Sequence, residues 1–314
     1  MPQPLPTDDY RAAIEGVALF DLSQYGKIEL TGPDAASFLQ NLCTQDVKSL
    51  PVGATCEAFL TTSKARVVAH VWITHTASSV LRLDMVAGQA EKVLAHLNHF
   101  LISEKVEIAD RTHDFALFRL VGPLANKLSS GDFRQHTLLA LDGVDLFCPV
   151  VEADALRQRL IAAGDVPASP ATYQTLRIEA GLPEYGIDID ENRLAMEVGR
   201  TAQAICYTKG CYLGQETIVM ARDRGQVNRL LVGVKIPDGA ATGTGAKLFR
   251  SGEEVGQATS SVHSPRLGHA IALAYLRRGN WDPNTELVID PTTDGRSAVV
   301  CALPFCAGDA VTLP

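Results

Sequence analysis

The sequence changes texture near residue 228, and that change constrains the fold more than any other feature. Before it, stretches with the period of a strand alternate with stretches that have the period of a helix. After it, glycine is frequent and the apolar runs are short: 230–236, 246–249, 269–275, 286–289 and 297–302. Ser251-Gly252 lies between two of these runs as a hairpin signal. Short strands without helices between them read as a small barrel. The pattern therefore predicts an α+β region over 1–227 and a C-terminal β-barrel over 228–314. Length agrees, since 314 residues at roughly 150 per domain suggest about two domains.

Within the first region, Thr31-Gly32-Pro33-Asp34 reads as a turn into a helix whose apolar face holds Phe38, Leu39 and Leu42. Residues 66–74 (RVVAHVWIT) are rich in β-branched side chains and read as a strand. Leu81, Leu83 and Met85 alternate with Arg82 and Asp84, which predicts a strand with one wet face. Helical spacing returns over 90–101. A second strand–helix pattern follows: strands over 115–121 and 144–151, a short helix over 123–128, and an amphipathic helix over 152–163 that stops at Gly164. Ser169-Pro170 reads as an N-cap with proline at the first helical position, opening a helix that ends near Gly181.

Hydrophobic residues make up 46% of the chain and charged residues 20%, enough for a sizeable core, so a disordered or collagen-like chain is excluded. With 28 basic and 36 acidic residues the formal net charge is −8, which argues against nucleic-acid binding through the overall field. No uncharged apolar run of about 18 residues occurs, so no membrane span is expected. The opening MPQPLPTDDYRAA lacks the layout of a secretory signal. The seven cysteines form no CxxC pair and no zinc-like quartet; this odd, unpaired set suits a reducing cytoplasm, with no metal site.

The most unusual local sequence is Lys209-Gly210-Cys211-Tyr212-Leu213-Gly214-Gln215-Glu216. Its two glycines suggest backbone that a side chain would forbid, or a close approach. Residues 215–224 can continue as a helix, which would place Cys211 just before a helix N-terminus. Helix dipole and Lys209 would then both favour a thiolate, and in an extended stretch residues 209 and 211 point to the same side. The alternative is a glycine-rich turn around a buried structural cysteine.

This octapeptide resembles the K-G-C-[aromatic]-x-G-Q-E signature of the YgfZ family, folate-binding relatives of the glycine-cleavage T-protein. The resemblance extends over Arg177-Ile178-Glu179-Ala180-Gly181-Leu182-Pro183 with Tyr185-Gly186-Ile187-Asp188-Ile189, and over Phe20-Asp21-Leu22-Ser23 and Leu30 to Phe38 near the start. It also covers 96–110 and 267–276, so it spans nearly the whole chain. It implies two interwoven lobes around a central channel with a barrel packed on them. It further implies tetrahydrofolate or a one-carbon derivative as ligand, with Glu179, Tyr185 and Arg222 binding it; Arg224 is a second candidate for the folate carboxylate tail. Glu179 would accept the pterin donors, although a helix-end glutamate and solvated arginines are the plainer readings.

In the YgfZ branch the implied role is maintenance of iron–sulfur enzymes, including those that modify tRNA, with iron–sulfur enzymes or assembly proteins as partners and Cys211 and Lys209 as the functional pair. One cysteine cannot hold a cluster, which needs about four thiolates, and Cys206 is the nearest helper. The T-protein branch implies aminomethyl transfer to tetrahydrofolate as the alternative. That branch places a carboxylate where this chain has Ala69-His70, and no Asp or Glu lies between Glu57 and Asp84. His70 is either a base at neutral pH or a structural residue of its strand.

Overall fold

A computed structural model describes residues 6–127, 132–224, 227–290 and 295–306. The chain opens with α1 (Asp8–Glu15), β1 (Ala18–Asp21), β2 (Gly26–Thr31) and α2 (Ala35–Gln40). Three strands follow, β3 (Thr55–Thr61), β4 (Val67–Ala77) and β5 (Val80–Met85), then α3 (Ala90–Phe100) and β6 (Glu107–Asp110). Next come β7 (Phe115–Val121), β8 (Asp132–His136), β9 (Gly143–Pro149), α4 (Ala153–Ala162) and the short β10 (Val166–Pro167). Helices α5 (Pro170–Glu179), α6 (Thr201–Ala204) and α7 (Gln215–Arg224) lead to the last strands. These are β11 (Arg229–Ile236), β12 (Lys247–Arg250), β13 (Glu253–Ser264), β14 (His269–Arg277), β15 (Glu286–Ile289) and β16 (Arg296–Cys301).

Two five-stranded sheets form the α+β part, ordered β10-β1-β7-β9-β8 and β3-β4-β5-β2-β6. The first contains β1 and then nothing until β7, so the whole second sheet is inserted into it. That is the interweaving expected of the two lobes. The last six strands close as β11-β14-β13-β12-β15-β16, with β11 returning to β16, and so form the expected barrel. Even-numbered residues of β14 (Ala270, Ala272, Ala274, Leu276) fill its interior. Odd-numbered ones (Ile271, Leu273, Tyr275) pack outward against Ile178 of α5. The strand period thus gives the barrel two buried faces on its inner edge.

Helix α5 forms as its sequence predicts. The Ser169 side chain accepts from the Thr172 backbone N–H at 3.2 Å, and Pro170 takes the first turn. The short helix expected over 123–128 is a single 3₁₀ turn, Ala125–Lys127, and residue 128 lies outside the described residues. Among the described residues no helix is long and apolar enough to cross a membrane.

One expectation is corrected. The polar side of β5 is not wet: Arg82 is 5% exposed and Asp84 1%. It faces the other sheet, where Arg134 donates to Asp84 at 2.9 Å and Arg82 to Asp132 at 2.7 Å. Arg119 grips Asp145 with two hydrogen bonds, at 2.7 and 2.9 Å, and Arg134 and His136 also reach Asp145. The two sheets therefore meet through buried charge. A period of two shows which residues share a face, but not whether solvent or another sheet lies beyond it.

Asp145→Ala removes the carboxylate that holds Arg119 and Arg134. Breaking a buried pair strands its partners, so the variant should lose about 3–5 kcal/mol of stability. Urea unfolding monitored by circular dichroism will measure the loss.

Candidate functional site

The Lys209–Glu216 loop is built from within. Lys209 is 8% exposed, and its ammonium donates to the carbonyls of Gln40, Cys43 and Gln45 at 2.7, 2.8 and 2.6 Å. Burial lowers its pKa. Gly214 has φ +87°, and a Cβ there would meet the Thr62 carbonyl at 2.6 Å, so glycine is required on both counts. Gly210 has open space around it. The Tyr212 ring is buried and Cys211 is exposed.

Of the two aids expected at Cys211, the helix over 215–224 is present and the lysine is not beside the thiol. Lys209 turns inward while Cys211 turns outward, so the two do not share a side. Helix α7 begins at Gln215, as expected, four residues after Cys211. Cys206 is better supplied. Burial raises its pKa, but hydrogen bonds from the Thr208 hydroxyl and from the Thr208 and Lys209 N–H groups outweigh this and hold the thiol below its usual value. Burial pushes Cys56 up to about 12 and Cys301 up to about 11.

Glu179, the last residue of α5, is fully buried. Its carboxylate accepts from the Tyr10 hydroxyl at 2.8 and 3.0 Å, from the Ser264 hydroxyl at 2.5 Å and from Arg266 at 2.8 Å. These donors occupy both oxygens, so the arrangement does not fit a pterin at Glu179 while Arg266 stays in place. Tyr185 is also buried; its hydroxyl takes the Lys92 ammonium at 2.7 Å and ties α3 to this part of the chain. Arg222 is exposed, pairs with Asp223 at 2.7 Å and lies over the Tyr207 ring at 5.0 Å. The Arg224 side chain lies outside the described residues.

A cavity of about 530 Å³ opens where the two lobes, the end of α5 and the segment after the barrel meet. That volume is in the range of small-molecule sites. Glu57, Arg200, Gln203, Asp142 and Pro304 line it; Glu179, Tyr185, Lys209, Cys211 and Arg222 do not. Glu57 comes from β3 and is 8% exposed. Arg200 grips both of its oxygens, and His70 Nε2 lies 2.8 Å from one of them. Burial raises the Glu57 pKa, but Arg200 and His70 overcome this and bring it down to about 2. Because Glu57 is ionised, His70 Nε2 carries the proton. His70 itself stands behind Glu57, between the rings of Phe59 and Trp72, at 5.0 and 4.8 Å. It contacts Glu57, whose carboxylate comes from the neighbouring strand β3, and does not line the cavity. Sequence reasoning missed Glu57, Arg200 and Arg266. Only the β3–β4 register, which sets Phe59 opposite His70, could have revealed Glu57.

The profile of the GCVT N-terminal domain matches residues 3–136, and that of the glycine cleavage T-protein C-terminal barrel domain matches 229–306. An aminomethyltransferase of Rubrobacter xylanophilus is 31% identical over 303 residues, covering 88% of this chain and 79% of its own. The chain belongs to the glycine cleavage T-protein family. An aminomethyltransferase of Herpetosiphon aurantiacus is 26% identical over 322 residues, covering 95% of this chain and 89% of its own. The crystal structure of glycine cleavage system aminomethyltransferase T from Bartonella henselae superposes with a TM-score of 0.88. It covers 99% of this chain and 93% of its own at 22% identity, and so shows the shared fold. The family's aminomethyltransferases use tetrahydrofolate. Among the described residues no group of three or more His, Cys, Asp or Glu is placed to hold a metal.

Two outcomes follow from this chemistry. The pKa of Glu57 falls from 4.5 to about 2 on folding, so its pairing stabilises the protein above pH 4.5 and is lost as pH falls toward 2. The contribution is roughly 3 kcal/mol. Urea midpoints measured across this window should fall steeply in the wild type and less steeply in Glu57→Gln. Separately, limiting iodoacetamide near neutral pH should label Cys206 and the exposed Cys211 before Cys56 and Cys301, as read by peptide mass spectrometry.

Proposed function

We propose that this chain is a tetrahydrofolate-binding protein of the YgfZ type that supports iron–sulfur enzymes, including those of tRNA modification, in a reducing cytoplasm. The observation that carries this reading is the Lys209–Glu216 loop. A buried lysine holding three carbonyls and a glycine in a left-handed conformation fix a loop that presents one exposed thiol, Cys211. Lys209 serves the thiol through the loop rather than by touching it. The folate or its one-carbon derivative occupies the cavity lined by Glu57 and Arg200, where Gln203 and Asp142 add further polar groups. Glu179 enters as the pterin acceptor on release of Arg266. Tyr185 and Arg222 flank the site rather than line the cavity.

The relatives favour a second reading, aminomethyl transfer, because those compared above are named for it. Glu57 is then the carboxylate at hand. An efficient general base has a pKa near the working pH, and Glu57 at about 2 is far below neutral. Its ion pair with Arg200 opposes this use.

Cys211→Ser separates the two readings. It should leave tetrahydrofolate affinity within about twofold by calorimetry, yet fail to restore iron–sulfur enzyme activity in a deletion strain. Full rescue by the serine variant, or robust methylene-tetrahydrofolate formation from an aminomethylated carrier protein, would favour the transferase. Arg266→Gln tests the role of Glu179. It frees an acceptor worth about 1.5–3 kcal/mol and should tighten tetrahydrofolate binding by at least about tenfold. Unchanged affinity in a folded variant would leave Glu179 purely structural.

A further inference from the structure

A second polar site lies where the barrel meets the segment after α5, away from the cavity between the lobes. Strands β11 and β14 pair antiparallel with Arg229 directly opposite Arg277. Like charges so placed repel each other across a ladder. Arg193 joins them and lays its guanidinium over the Tyr275 ring at 3.9 Å. All four residues border one cavity of about 60 Å³, together with Glu254 and Gln257.

The charges here are compensated from within only in part: Glu254 borders the cavity and feels Arg277, but among the described residues no ion pair joins a carboxylate to these three arginines. Glu254 is drawn to Lys247 at 2.8 Å. Burial raises the pKa of Glu197; Arg193 and Arg229 oppose the rise without forming an ion pair with it among the described residues, and Asp188 and Asp190 also act on Tyr275 from nearby. Arg193 is 8% exposed and Tyr275 2%, yet among the described residues the Arg193 Nε and the Tyr275 hydroxyl have no hydrogen-bond partner. Burial pushes the Tyr275 phenol above its usual pKa, so it stays protonated and remains a donor. Two buried donors without acceptors among the described residues thus border the same small space as the Arg229 and Arg277 guanidiniums. Buried polar groups are rarely left unpaired in native proteins, and the acceptor that satisfies all four groups is an anion.

We propose that this cavity binds a phosphate-sized oxyanion, the phosphoryl group of inorganic phosphate or of a phosphate monoester. Arginine forks match its oxygens in pairs, and about 60 Å³ has room for one such group. Neither Glu57 nor Arg200 takes part, so the proposal is independent of the folate reading.

The test is calorimetric titration of the full chain with inorganic phosphate and with glycerol phosphate, at ionic strength held constant with sodium chloride. ³¹P line broadening gives a second readout. Both ligands should bind saturably, and acetate about tenfold or more weaker. Arg229→Gln/Arg277→Gln, at two exposed positions, should weaken phosphate by at least about tenfold for each charge-assisted hydrogen bond removed. Arg193→Lys keeps the charge but removes the fork, and should weaken binding similarly in a variant that circular dichroism shows to be folded. Absence of saturable binding, equal affinity for acetate, or equal phosphate affinity in the folded double variant would overturn the site.

Discussion

Helix α5 ends on two buried charges, and the relative placement of the lobes and the barrel depends on how they are neutralised. Arg177 and Glu179 lie two residues apart, so they project from roughly opposite faces, about 200° apart. Arg177 donates to Asp188 at 2.7 Å and to the Ser260 hydroxyl at 2.9 Å. Glu179 accepts from Arg266, Ser264 and Tyr10. Three of these partners, Ser260, Ser264 and Arg266, belong to β13 and the turn after it, and Tyr10 belongs to α1. Sliding the barrel along α5 would strand both charges at once. A buried ion pair adds little net stability compared with apolar packing, but leaving one member unpaired is costly. The pairs therefore fix a register more than they strengthen the fold.

Much of this architecture was legible locally. The Ser169-Pro170 start of α5, the Gly164 stop and the short barrel strands are written in turn chemistry and periodicity, which need no distant partner. What was not legible depends on pairing. Strand β13, EEVGQATSSVHS, carries so many small and polar residues that it shows no alternation, yet it is the longest strand among the described residues. Arg82 and Asp84 read as a solvent face because their partners lie about 50 residues away, on β8. The candidate site divides the same way. The loop around Cys211 announces itself, but Glu57 becomes a neighbour of His70 only through the β3–β4 register. Arg266 cancels Glu179 from another domain.

The same residues separate family membership from chemistry. Fold and sequence place the chain among the T-proteins, while the carboxylate in its cavity is locked to a guanidinium. In a low-dielectric setting such a pair is a strong local electrostatic anchor. It orients whatever enters but withholds the lone pair that proton abstraction needs. On the proposed reading such a cavity serves recognition. On that reading the exposed thiol of Cys211, on a loop tied to the first lobe through Lys209, is the reactive group.

The insertion of one sheet within the other also orders events in time. Strand β1 is made early but lies between β10 and β7 in its sheet, so its partners are synthesised about a hundred residues later. The inserted sheet, β2 to β6, has all its strands within one continuous stretch and can assemble while β1 waits unpaired. Pairings of long sequence separation form slowly because chain entropy must be lost before they are gained. As the chain emerges from the ribosome, the nested lobe becomes a template and the outer lobe closes around it. The first strand made thus waits for its partners until the nested sheet has been made, and an unpaired strand in the meantime is a natural client for a chaperone.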